Sequence, residues 1–284
     1  MLHYRVLLKM VLPVISLQEK LSAIKQLYKN YKYLKMKITF CVLIMFLLFK
    51  CNLQAQQNLF RGNNNYVTPP VPNPSGPIVT NGLVLNLDAS VASSYSGSGT
   101  TWSDISGSSN NATLVGNPIY TSTAPANFTF SGSNNANFNF VWPAQFTCSL
   151  WIYPIGAPGG NFSRILSTGF GDNLEIAING SNQISYHSPS VSWQSSVTSI
   201  TSNAWNQLVV VKSANSITFY INGVSTYTAS LTSFTSGSKI YFGQRHTLNE
   251  GANFRLGAAL IYNYALTASD ITTNWNAQKV KYGY

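Results

Sequence analysis

Trp205-Asn206-Gln207-Leu208-Val209-Val210-Val211-Lys212-Ser213-Ala214-Asn215-Ser216-Ile217-Thr218-Phe219-Tyr220-Ile221-Asn222-Gly223-Val224 encodes two strands and two turns. Leu208–Val211 and Ile217–Ile221 are β-branched and aromatic, which suits a pleated, buried surface. Ser213-Ala214-Asn215-Ser216 reads as the hairpin between them. Asn222-Gly223 supplies the positive φ angles of a tight second turn before Val224.

The same pattern extends outward. Leu83, Leu85 and Leu87 alternate with Val84 and Asn86, and Phe128 and Phe130 flank Thr129. Phe146–Tyr153 is apolar or small on both faces and stops at Pro154, as expected of an inner strand. Leu174–Ile178 and Gln183–Tyr186 flank Asn179-Gly180, a further hairpin signal, and Lys239–Phe242 and Leu256–Tyr262 complete the series. Many short strands with period two at close spacing predict an all-β sandwich or barrel. One helix is expected at the end: Thr267 and Asp270 can form a capping box, and Ile271 and Trp275 share a face that would seal the sandwich edge.

Charge divides the chain. Residues 1–55 hold nine of the 17 Lys/Arg and one of the seven Asp/Glu, so the formal net charge of +10 belongs mostly to that segment. The remainder is nearly neutral, which excludes a broad basic face for nucleic acid. It is also long enough to bury a core without covalent staples. Residues 36–55 read as a secretory signal: Lys37, the apolar run Ile38–Phe49, then a polar stretch ending at Ala55. The run is too short to span a membrane, which takes about 20 residues, and Lys50 before Cys51 argues against lipidation. Residues 1–35 read either as an amphipathic membrane-surface segment or, preferably, as an extension upstream of the true start at Met36. Residues 56–81, with Asn63-Asn64-Asn65 and five prolines from Pro69 to Pro77, read as an extended linker. The domain proper is expected over 82–284, secreted or at the cell surface after cleavage near Ala55, with no transmembrane span in the mature chain. Cys148 is the single cysteine left in it and reads as a small buried residue.

Four stretches taken together resemble the concanavalin A-like jelly-roll superfamily, and within it the laminin-G-like modules of bacteria and phages. They are Gly82-Leu83-Val84-Leu85-Asn86-Leu87-Asp88-Ala89 running on to Trp102-Ser103-Asp104-Ile105-Ser106-Gly107 and Asn110-Asn111-Ala112-Thr113-Leu114; the Trp strand Phe146–Pro154; the hairpin quoted above; and Leu256–Thr267 with Asp270-Ile271. The resemblance covers about residues 82–284 and implies a jelly roll of two antiparallel sheets with a short C-terminal helix. It does not fix a ligand, because the fold hosts lectins, glycosidases, adhesion modules and virion parts. The disulfide frequent in animal laminin-G modules cannot form here.

Glycosidases of this fold carry carboxylates on one strand, spaced Glu-x-Asp-x-x-Glu. Here the domain holds only Asp88, Asp104, Asp172, Glu175, Glu250 and Asp270, no two of them two apart. Asp172 and Glu175, three apart, would face opposite ways on a regular strand. For lyase chemistry, His187 beside Tyr186 and Arg245 beside His246 are the only raw material. Calcium is the one cofactor the resemblance implies. Asp88 and Asp104 are its candidate ligands near Asn110 and Asn111, with Asn249-Glu250 a weaker addition. Asp104 with Ser106 and Gly107 equally reads as an Asx-type turn. Sugar sites stack pyranose faces on aromatic rings. Trp193, Tyr186 and His187 form the best stacking set, with a second small hydrophobic patch as the alternative. The expectation is a secreted, non-enzymatic module that binds carbohydrate or a surface polymer. The alternatives are a structural or adhesion component held by protein contacts at a cell surface or virion, and a polysaccharide-active hydrolase or lyase.

Overall fold

The computed structural model describes residues 18, 21–31, 76–156, 163–168, 174–188, 191–232, 237–248 and 250–284. The chain divides into two compact units, Met1–Pro70 and Val71–Tyr284. In the first, residues 21–31 are helical and exposed. The expected signal and most of the expected linker, together with Asp172 and Asn249, lie outside the described residues. Among the described residues no helix is long and apolar enough to cross a membrane.

The second unit is built of strands β1 (Leu83–Asp88), β2 (Thr101–Trp102), β3 (Ala112–Val115), β4 (Ile119–Thr121), β5 (Asn127–Ser131), β6 (Asn135–Asn139), β7 (Phe146–Pro154) and β8 (Ser163–Ser167). These are followed by β9 (Glu175–Ile178), β10 (Gln183–Ser188), β11 (Val191–Ser199), β12 (Asn206–Lys212), β13 (Ser216–Ile221), β14 (Val224–Ser230), β15 (Lys239–Phe242) and β16 (Asn253–Tyr262). Helix α1 (Ala268–Gln278) and a 3-10 turn, Lys279–Tyr282, end the chain. The first sheet runs β14-β13-β12-β7-β16-β5-β4, with β1 also on β16; the second runs β11-β10-β9-β8-β15-β6-β3-β2. Every named strand pairing is antiparallel. This is the all-β sandwich that the alternation predicts, in the two-sheet jelly-roll form that the resemblance implies.

The inner faces of the two sheets meet in one core. Phe146, Cys148, Leu150 and Ile152 of β7 and Leu208 and Val210 of β12 point into it. Burial pushes the Cys148 thiol well above its usual range, so it is a packing residue. β12 is apolar on both faces because both are covered: Val209 and Val211 pack outward under Leu266 and Ile271 at the start of α1. The helix forms where expected. Thr267 Oγ1 accepts from Asp270 N at 3.2 Å, and Asp270 Oδ2 accepts from Thr267 N at 3.0 Å.

Two turns differ in how far they obey their sequences. Asn222 and Gly223 both take positive φ, 52° and 77°, and join β13 to β14 with Ile221 opposite Val224. Asn179-Gly180 does not form a two-residue turn. The connection is four residues long, closed by Asn179 N donating to Gln183 O, and the left-handed φ (59°) falls on Asn182. The Asn179 carboxamide causes this, accepting from both Ser181 N and Gln183 N.

The sandwich also begins before residue 82. Val79 N donates to Asn274 Oδ1 at 2.8 Å, and Tyr262 OH donates to Val79 O at 2.9 Å, so the last residues of the expected linker are pinned to the outer side of the first sheet.

Replacing Phe254, fully buried against Phe130, by Ala should cost about 3–5 kcal/mol. Thr267→Ala, which removes only the cap, should cost about 1 kcal/mol. Urea unfolding followed by tryptophan fluorescence distinguishes the two.

Candidate functional site

The second sheet turns Ile176, Ile178, Ile184, Ile240 and Phe242 inward, so the residues between them face outward. Strand register aligns those outward residues in one row. His187 lies opposite Glu175, Glu175 opposite Ser167, Ser167 opposite Tyr241, Tyr241 opposite Asn137, and Asn137 opposite Thr113. Trp193 extends the row on β11, its ring 5.4 Å from that of His187. A polar row bounded by an aromatic pair therefore crosses the sheet. Within it the fully buried Ser167 Oγ has no hydrogen-bond partner among the described residues.

An ionic cluster sits beside Trp193. The register of β8 shifts between Arg164 and Leu166, a bulge that re-aims the Arg164 side chain. Its guanidinium lies 4.7 Å from the Trp193 ring centre. Arg164 Nε is 3.1 Å from Glu175 Oε2, and Arg245 Nε is 2.9 Å from Glu175 Oε1, so each oxygen of this buried carboxylate receives a guanidinium. Arg164 NH2 and Arg245 NH1 both reach Glu250 Oε2, each at 3.2 Å. His246 Nδ1 stands 4.0 Å from Glu175 Oε1. Burying a charge is tolerable only with partners of this kind.

Backbone packing fixes Glu250. Arg164 N donates to Glu250 O at 3.0 Å, and Ala252 N donates to Arg164 O at 3.1 Å. Gly251 lies between these two anchors. A Cβ there would stand 2.6 Å from Gly132 Cα and closer still to the Gly243 carbonyl, so only glycine fits. Glu250 itself is held at φ 53°.

Of the expected stacking set, the structure brings Trp193 and His187 together and separates Tyr186. Tyr186 points into the core, 1 % exposed, with its ring 5.3 Å from Phe219. Burial, with Tyr227 beside it, pushes its phenol up to about 12. Adjacent residues of a strand face opposite sides, and here Tyr186 faces in and His187 out.

The expected calcium ligands do not fit calcium. Asp104 Oδ1 accepts from Asn86 N and Ser106 N, both at 2.8 Å, and its Oδ2 accepts from Ser106 Oγ and Asn110 N, both at 2.9 Å. Asn111 Oδ1 accepts from Asp104 N at 2.9 Å. Asp104 is thus the staple of its own turn. Asp88 Oδ1 accepts from Ser90 N at 2.9 Å and from Lys281 Nζ at 2.7 Å, so a cation already stands beside it. Calcium needs six or more oxygens free of such donors. Among the described residues no group of three or more His, Cys, Asp or Glu could hold a metal ion. Near this turn a shallow cavity of about 550 Å³ is lined by Asn110, Asn139, Phe140, Val141 and Ser238.

Within the ionic cluster, Arg164 is the residue that the sequence reading passes over. The signal was there: a lone charge, Ser163-Arg164-Ile165, in a strand-like run of a domain poor in charge.

This architecture is that of a concanavalin A-like sandwich. Residues 129–272 match the Laminin_G_3 model of the concanavalin A-like lectin/glucanases superfamily, and the chain belongs to that family. Among solved structures, Trypanosoma rangeli sialidase is similar at 18% identity and a TM-score of 0.56, covering 72% of this chain and 34% of that one. The binding domain of botulinum neurotoxin DC in complex with SialylT is similar at 17% identity and a TM-score of 0.55, covering 70% of this chain and 52% of that one. The same domain in complex with rat synaptotagmin II is similar at 18% identity and a TM-score of 0.55. The chain thus spans between a third and about half of the length of these chains, and at such identities the likeness is one of fold alone. No curated protein matches the chain.

If Asp104 is a staple and not a ligand, Asp104→Ala should cost about 1–3 kcal/mol, the penalty of leaving buried donors unpaired. Neither calcium nor chelator should then move the melting temperature of the unaltered protein. A calcium-dependent rise, read by differential scanning calorimetry and lost in Asp104→Ala, would restore the metal.

Proposed function

We propose that the second unit is a secreted, non-enzymatic carbohydrate-binding module that takes a glycan along the outer face of its second sheet. The observation that carries this reading is the partly exposed pair Trp193 and His187, set against the cluster of Arg164, Glu175, Arg245 and Glu250. A sugar presents an apolar ring face and a rim of hydroxyls. A half-exposed indole and imidazole match the first, and the partly exposed Arg245 guanidinium and Glu250 carboxylate beside them match the second. The near-neutral charge of the domain suits such a ligand. Among proteins of similar fold, one was captured with sialic acid and another with SialylT.

The carboxylates support the non-enzymatic reading. A glycosidase acid must offer a proton to the leaving oxygen, and its partner carboxylate must stand free to attack or to activate water. Both oxygens of Glu175 face guanidinium donors, and Glu250 is tied to the same two arginines.

A glycan array probed with the full chain tests the reading. Binding to defined sugars is expected, weakened by Trp193→Ala about tenfold or more, as loss of one aromatic stacking platform implies. Val141→Ala, in the separate rim cavity, should bind normally. Loss through Val141 but not Trp193 would move the site to the rim, and no binding to any sugar would favour a structural or adhesive role.

A further inference from the structure

We propose that the second unit carries another ligand site, at Arg255, Tyr153 and Trp205 on the outer face of the first sheet, and that it takes an acidic saccharide bearing carboxylate or sulfate. The site lies on the opposite side of the sandwich from Trp193 and stands independently of the glycan face proposed there.

Helix α1 and the 3-10 turn cover the middle of the first sheet and leave one end of it open. Register lines up the residues at that end: Ile119 lies opposite Thr129, Thr129 opposite Arg255, and Arg255 opposite Tyr153. Trp205, the residue before β12, continues the row, its ring 5.6 Å from that of Tyr153 and 67° out of its plane. The strand neighbours Phe128, Phe130, Ile152, Phe254 and Leu256 point into the core, so the row faces outward. Ile119 is 67% exposed, and Thr129, Arg255, Tyr153 and Trp205 are all partly exposed. At the usual strand spacing the row spans about 19 Å, room for an oligosaccharide.

Arg255 is the group that points to a ligand. Among the described residues its guanidinium meets a ring face, that of Tyr153 at 4.6 Å, and no carboxylate or other hydrogen-bond acceptor. Other cations of the unit are matched: Arg164, Arg245 and Lys281 meet carboxylates, and Lys212 and Lys279 meet carbonyl oxygens. The described carboxylates are committed as well, Asp88 to Lys281, Asp104 to its turn, Glu175 and Glu250 to the ionic cluster and Asp270 to the helix cap. A partly buried guanidinium with open donors suits an oxyanion from outside. The corner between Tyr153 and Trp205 offers apolar ring surface to a sugar, and the hydroxyls of Thr129 and Tyr153 meet its polar rim. β5, β16 and β7 are paired on both sides, so an extended peptide finds no free backbone here. The corner is also set in advance. Ile155 N donates to Asn253 O at 3.0 Å and Asn203 N to Pro154 O at 2.9 Å, fixing the end of β7 against β16 and against the approach to β12.

Oligogalacturonate beside its methyl ester, and a sulfated galactan oligosaccharide beside its desulfated form, are titrated by calorimetry into the full chain, Arg255→Gln and Lys239→Gln. The unaltered protein should bind at least one of the acids more tightly than its neutral form. Arg255→Gln should weaken that binding about tenfold or more, as loss of a charge-assisted hydrogen bond implies, and leave the neutral form unaffected. Lys239→Gln removes the same charge from the second sheet and should change neither. Arg255 makes no ion pair among the described residues, so the circular dichroism melt of Arg255→Gln should match that of the unaltered protein. The proposal falls if neither acid binds, if neutral forms bind as well as the acids, if the two substitutions act alike, or if polyglutamate binds through Arg255 as tightly as the sugars. Acid binding lost in Trp193→Ala but kept in Arg255→Gln would also overturn it, while leaving the glycan face of the second sheet standing.

Discussion

Double coverage of the central strands of the first sheet is the constraint on which the rest depends. β7, β12 and β16 present apolar or small residues on both faces, and neither face can be left to water. The second sheet covers one. Helix α1, the 3-10 turn and residues 78–79 cover the other, where Trp151, Tyr282 and Trp275 stack in one aromatic column. Hydrophobic burial on two sides leaves this sheet no surface for polar recognition along its centre. The second sheet packs apolar residues on its inner side, and its outer side holds polar groups, among them Arg164, Ser167 and Glu175, that are themselves buried.

That outer face concentrates charge in a domain that otherwise has little. Arg164 and Glu175 are both deeply buried, and each would be intolerable without the other. The cost of sinking them is offset by a second pair, Arg245 and Glu250, stacked on the first from the solvent side. The result is a layered cluster with a buried inner half and a partly exposed outer half.

The fold was legible because its signals are local. Alternation in β1, β5 and β12, the Asn222-Gly223 turn and the Thr267 cap each follow from a few neighbouring residues. Where legibility failed, the deciding partner lay far along the chain or on the wrong side of a strand. Asp88 reads as a metal ligand until Lys281, 193 residues away, is seen to neutralise it. Asp104 required no distant partner: its carboxylate accepts from Ser106 and Asn110, the bonds of the turn reading. Tyr186 and His187, adjacent on one strand, could never have shared a face, so the period itself separates them. Arg164, Arg245 and Glu250 come from three places in the sequence, and only the bulge in β8 and the close approach at Gly251 bring them together.

The pinning of Val79 has an orientational consequence. Residues 78–79 lie along the outer side of the first sheet, with Val79 held by Asn274 and Tyr262, whereas the Trp193–Arg164 surface is on the far side of the second. A chain anchored upstream of residue 76 would hold the sandwich by its back. The Trp193–Arg164 face would then look away from that anchorage.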